Sequence, residues 1–111
     1  MFYSSHADEL RAFIRDKLGF DFVDTGDGWL IFDLPEADMG CHPTETDRGS
    51  MPSGTAHLSF YCDDIEQTVN ELSSRGVEFT SPIEEQGWGL VTRFRMPGDF
   101  EVDLYQPLYT K

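Results

Sequence analysis

Basic side chains are scarce in this sequence: 8 Lys+Arg stand against 21 Asp+Glu in 111 residues, for a formal net charge of −13. A surface of that sign repels phosphate backbones and anionic lipid headgroups over roughly a Debye length, about 8 Å at physiological salt. Neither a nucleic-acid nor a membrane partner is therefore expected. Cysteine is almost as rare. Cys41 and Cys62 sit far apart in apolar-alternating stretches, which excludes a disulfide framework and a cysteine-cluster zinc site and fits reduced, buried thiols. No N-terminal stretch joins a basic start to an apolar run, and no apolar run approaches the roughly 20 residues that span a bilayer. A soluble, cytoplasmic protein is expected.

What remains is ordinary globular material. The 39% of apolar residues, with ten glycines besides, supply enough interior for about one core. The acidity is spread along the chain, with 11 acidic and 4 basic side chains in residues 1–52 and 10 and 4 in residues 53–111. It belongs to the domain as a whole and not to a tail.

The two halves carry the same series of signals. Phe2-Tyr3-Ser4 precedes a helical pattern from Ala7 to Leu18, with Leu10, Phe13, Ile14 and Leu18 at 3-4 spacing and Gly19 as its stop. Strand patterns then run over Phe20–Asp24, Trp29–Leu34 and Asp38–His42, the first two joined by Gly26-Asp27-Gly28. In the second half a strand from about Ala56 ends in Phe60-Tyr61-Cys62, a helix runs from about Ile65 to Arg75, and Gly76 closes it. Val77–Thr80, Leu90–Met96 and Phe100–Gln106 continue as strands. Phe2-Tyr3 answers Phe60-Tyr61, Gly19 answers Gly76, and Gly28-Trp29 answers Gly87-Trp88, at offsets of 57 to 59. The segment Pro43–Gly54, rich in Thr, Ser, Gly and Pro, reads as a linker. The expected fold is α+β, one domain of two βαβββ modules, about 1–43 and about 55–107, joined by a linker at about 44–54.

The series His57-x-x-Phe60-Tyr61-x-Asp63-Asp64-Ile65, Gly76-Val77-x-Phe79, Gly87-Trp88-Gly89 and Pro97-Gly98 before Glu101-Val102-Asp103-Leu104-Tyr105 resembles the vicinal oxygen chelate superfamily. That group includes glyoxalases, extradiol dioxygenases and bleomycin-binding proteins. Leu10-Arg11-x-Phe13 through Gly19-Phe20, with Gly28-Trp29-Leu30-Ile31-Phe32, is similar to its N-terminal module. The resemblance implies mixed β-sheets curled around a ligand cavity, with helices outside, and a homodimer.

Strand parity sorts side chains between the two faces of such a sheet. With Leu58, Phe60, Val102, Leu104, Phe94 and Met96 directed to the core, His57, Tyr61, Glu101, Asp103, Tyr105, Arg93 and Arg95 share the other face. In the first half Asp38 and His42 fall opposite Met39 and Cys41, and Trp29, Ile31 and Asp33 opposite Leu30, Phe32 and Leu34. The resemblance implies a divalent metal (Fe, Ni, Mn or Zn) held by a first-strand His and a last-strand carboxylate, where it polarises substrate oxygens. Here those positions match His57 and Asp103, with Glu101 as substitute and His42 as replacement for the first-module ligands. Tyr105 is placed to give a proton or hydrogen bond to a bound oxyanion. Trp29 and Trp88 either stack a planar ligand or plug the ends of the sheets. Arg93 and Arg95 either clamp an anion or offset Glu101, Asp103 and Asp33. Two functions stay open on these residues: a metal-dependent enzyme acting on a small organic molecule, and a metal-free acidic protein that sequesters one.

Overall fold

The computed structural model describes residues 2–37, 41, 45–46, 49–50 and 52–110. Helix α1, Ala7–Phe13, opens with Asp8 and Glu9, whose charge suits a helix N-terminus, and buries Leu10 and Phe13. It continues as a π-helical stretch, Ile14–Leu18, which ends at Gly19 in the left-handed region at φ 76°. The Gly19 amide donates back to the Ile14 carbonyl at 3.0 Å. Strands β1, Phe22–Asp24, and β2, Leu30–Phe32, form an antiparallel hairpin that pairs Val23 with Ile31. The stretch expected to be a linker holds a small antiparallel pair, β3 (Glu45–Thr46) and β4 (Gly49–Ser50).

The second half is more regular. After β5, Ser59–Tyr61, the Asp64 carboxylate accepts from the Gln67 amide at 3.2 Å and caps α2, Ile65–Ser74. Helix α2 ends in a Schellman motif: Gly76 N–H bonds the Ser73 carbonyl and Val77 N–H the Leu72 carbonyl, both at 3.0 Å. Leu72 and Val77 are both buried beside that turn. Strands β6 (Glu84–Glu85), β7 (Gly89–Met96) and β8 (Phe100–Pro107) complete a four-stranded sheet in the order β5-β8-β7-β6. β5 runs parallel to β8, and β7 antiparallel to it. The α2 crossover carries the chain from β5 to β6, and two antiparallel turns, β6-β7 and β7-β8, then bring β8 beside β5 in parallel.

The core lies on the helix side of this sheet. Phe94 and Ile65 are fully buried, and Met96, Val102 and Leu104 nearly so, against Leu10 and Phe13 of α1 and Leu72 of α2. The Phe94 ring has Phe79, Phe60 and Phe13 around it, at centroid distances of 5.7, 6.0 and 6.4 Å. Among the described residues no helix is long and apolar enough to cross a membrane.

Several expected strands are shorter or absent. Residues 2–4 form no strand: Phe2 instead packs edge-on against Phe100 at 4.9 Å, a contact that needs no ladder. Gly98, at φ 97°, turns the β7-β8 hairpin there, and the Ser4 hydroxyl occupies the place a Cβ on Gly98 would take. Val77–Thr80 makes one bridge, Phe79 to Phe94, because only Phe79 of that stretch meets β7 in ladder register. Asp38–His42 lies outside the described residues except for Cys41, which is exposed and not buried as expected.

Candidate functional site

The long strands β7 and β8 decide which side chains share a face. Their register sets Arg93 opposite Asp103, Arg95 opposite Glu101 and Val91 opposite Tyr105, while parallel pairing sets Tyr61 beside Tyr105 and Ser59 beside Asp103. All of these sit on the face away from the helices, as alternation predicts. The Arg93 Nε donates to Asp103 Oδ1 at 2.9 Å, and Arg95 reaches Glu78 at 3.9 Å. Both arginines are more than half exposed, so these pairs fix geometry and contribute at most about 1 kcal/mol each. Beyond them, Tyr105 forms an aromatic group with Tyr61 at 6.3 Å and with Trp88 at 5.5 Å between ring centroids.

The other predicted residues are not drawn into this group. Trp29 lies under the Arg11 guanidinium at 4.6 Å, an arrangement that ties the β1-β2 hairpin to α1. His57 is exposed, two residues before the start of β5. His42 lies outside the described residues. The described members of the donor set do not fit the divalent metal that the resemblance implies. Asp103 is already held by a guanidinium, Glu101 faces a second one, and among the described residues no three His, Cys, Asp or Glu side chains converge. Arg93 and Arg95 would compete with a metal for the same carboxylates.

A cavity of about 430 Å³ opens beside the free edge of β5. Phe60, Phe94 and Leu104 of the sheet and Leu72 of α2 give it an apolar interior, and Leu58 borders it just before β5. The first half of the chain supplies the opposite wall, from Leu18, Phe20 and the segment 34–37. Tyr61 and Tyr105 reach it from the strand edge, so these two predicted residues border the cavity while the arginines of the sheet do not. Its polar members are few: Ser59, Thr68, Glu36, Glu71 and Arg75. Cys62 lies close by, its Sγ 3.6 Å from the Tyr105 carbonyl oxygen, and burial pushes its thiol pKa up, which disfavours a reactive thiolate.

Strand parity missed this cavity because its far wall belongs to the other half of the chain. One signal was present. Thr68, Glu71, Leu72 and Arg75 follow helical spacing along one side of α2, and all four line the cavity. The two halves are also clasped at this wall: Arg75 Nη1 donates to the Lys17 carbonyl at 3.0 Å, and Lys17 Nζ to the Gly76 carbonyl at 3.4 Å.

A family model described as the Glyoxalase/Bleomycin resistance protein/Dioxygenase superfamily matches residues 1–104. No curated protein matches the sequence. Among solved structures, TnmS3, an antibiotic binding protein from Streptomyces sp. CB03234, is similar at 25% identity over 94% of this chain and 88% of its own, with a TM-score of 0.65. A superfamily member from Sphaerobacter thermophilus has 27% identity over 96% and 91%, with a TM-score of 0.61. A lactoylglutathione lyase from Agrobacterium tumefaciens shares the fold at 17% identity over 95% and 88%, with a TM-score of 0.65.

Proposed function

We propose, on the premise that the chain belongs to the Glyoxalase/Bleomycin resistance protein/Dioxygenase superfamily, that it binds a small, largely apolar organic molecule in the cavity beside β5. The observation that carries this reading is the cavity itself. Its volume of about 430 Å³ falls in the range typical of small-molecule sites, and aromatic and aliphatic walls with few polar groups are what such sites require. Phe60 and Phe20, both part-exposed and 5.8 Å apart between ring centroids, present the ligand with apolar ring surface, and Tyr61 and Tyr105 form the edge where it enters. Trp88 braces Tyr105 from outside. Burial of apolar ligand surface drives binding, at about 25 cal/mol per Å² before the cost of association. The similarity to an antibiotic binding protein supports a sequestering role. No step of this reading runs through a metal.

The neutral dye N-phenyl-1-naphthylamine tests it, since its fluorescence rises on leaving water. One saturable site per chain is expected, with the same affinity in the presence of a chelator. A flat titration overturns the reading, and an affinity lost to the chelator returns the site to a metal.

The proposal extends to assembly as a homodimer. Val23 and Ile31, paired across β1 and β2, are 66% and 51% exposed, and a two-stranded hairpin is marginal without a further packing surface. Light scattering is expected to give twice the chain mass at high concentration, and to give the single-chain mass for Val23→Lys. A wild-type protein that stays at the single-chain mass refutes the dimer.

A further inference from the structure

The cavity's polar groups do not face a ligand on equal terms. Arg75 is the one cationic side chain among the described residues that line it. Its guanidinium is held in place from one side only: Nη1 donates to the Lys17 carbonyl at 3.0 Å, and no other bond to it is present among the described residues. The fork therefore keeps most of its N–H donors available while one contact already orients it. The Schellman turn at Gly76 sets Arg75 at the last turn of α2, at the rim and not in the apolar interior.

The surroundings decide what kind of acceptor such a guanidinium meets. Glu36 and Glu71 share the rim, and Glu71 is turned to Gln67, whose Nε2 donates to it at 3.0 Å. Two carboxylates in a chain of net charge −13 disfavour a further anion at the same rim. A neutral oxygen acceptor incurs no such repulsion and still gains a charge-assisted hydrogen bond.

We infer that Arg75 is a specificity-determining residue of the cavity, and that it selects apolar, ring-bearing molecules carrying a neutral carbonyl oxygen. The inference rests on the cavity reading above. The apolar body of the ligand lies against Phe60 and Phe20, and its carbonyl reaches the rim and accepts from the free side of the guanidinium.

Two neutral naphthalene dyes separate this inference from the reading it rests on. 6-Propionyl-2-dimethylaminonaphthalene carries a ketone, and its emission moves to longer wavelength when that ketone accepts a hydrogen bond. N-Phenyl-1-naphthylamine has no carbonyl. Both are titrated into the full chain and into Arg75→Met and Arg75→Lys. In Arg75→Met the ketone dye is expected to bind about tenfold more weakly, as fits the loss of one charge-assisted hydrogen bond, and its bound emission to move to shorter wavelength. The dye without a carbonyl is expected to keep its affinity within about twofold, which also shows that the variant is folded. Arg75→Lys restores part of the ketone-dye affinity. Equal weakening of both dyes in Arg75→Met, or an unchanged ketone dye, overturns the inference and leaves the cavity reading standing. Binding of neither dye to the unaltered chain overturns both.

Discussion

Leu58→Trp and Ala37→Trp each weaken N-phenyl-1-naphthylamine binding by tenfold or more while leaving thermal unfolding within a few degrees of the parent. The two residues border the cavity from opposite sides, Leu58 from the second half and Ala37 from the first. Both are exposed, Leu58 at 45%, so an indole at either place adds bulk at the mouth without entering the core. Fully burying an apolar group the size of a Phe side chain is worth about 1.5–3 kcal/mol, and a plugged mouth denies the ligand that burial. A shift of 1.4 kcal/mol is already tenfold. Trp88→Ala serves as the contrast. Trp88 touches Tyr105 on the outer face and is not part of the cavity wall, so its removal leaves the dye affinity within about twofold. The opposite pattern, with dye binding lost in Trp88→Ala and retained in both blocked variants, would move the ligand to the outer face of the sheet.

That contrast follows the line between what the sequence made legible and what it did not. The second half could be read closely because period-2 alternation in Leu90–Met96 and Phe100–Gln106 is long enough to fix a face. Phe94, Met96, Val102 and Leu104 are buried and Arg93, Arg95 and Glu101 exposed, as parity requires. Gly19 and Gly76 end their helices in the left-handed region, as their positions after the last apolar turn imply. The first half was harder to read because its apolar residues have alternatives. Phe2 is satisfied by Phe100 and Trp29 by Arg11, and neither contact has a sequence period that could announce it. The candidate site was half legible for the same reason. Tyr61 and Tyr105 follow from alternation on paired strands, whereas Arg75 and Leu18 meet only because two helix ends, 57 residues apart in the chain, clasp one another. A pairing of that kind is a tertiary fact. The arginines of the sheet face illustrate the converse: their positions were legible, but their carboxylate partners leave them little to offer a ligand.

Phe94→Ala is expected to lower stability by about 3–5 kcal/mol, the cost of removing a buried aromatic ring and leaving part of its volume empty. Phe94 is fully buried in the middle of β7, and its ring is the one that Phe13 of α1, Phe60 of β5 and Phe79 all approach. It thus joins the first half of the chain to the edge strand β5 and to the Phe79 bridge, and three packing partners lose contact at once. Against a total of about 5–15 kcal/mol for a domain of ordinary stability, such a loss consumes roughly a fifth or more, and the melting temperature should fall by about 15 °C. Arg93→Ala is the matched control on the same strand, one residue away and on the opposite face. Its ion pair with Asp103 is exposed, so its loss should cost less than about 1 kcal/mol. Equilibrium denaturation in urea measures both, with the midpoint moving and the slope held. A Phe94→Ala cost as small as that of Arg93→Ala would mean that the ring cluster is not what joins the halves. The wall that Leu18 and Phe20 contribute to the cavity would then need another source of support, and the Lys17 and Arg75 clasp, two exposed hydrogen bonds to carbonyls, is too weak to be that source alone.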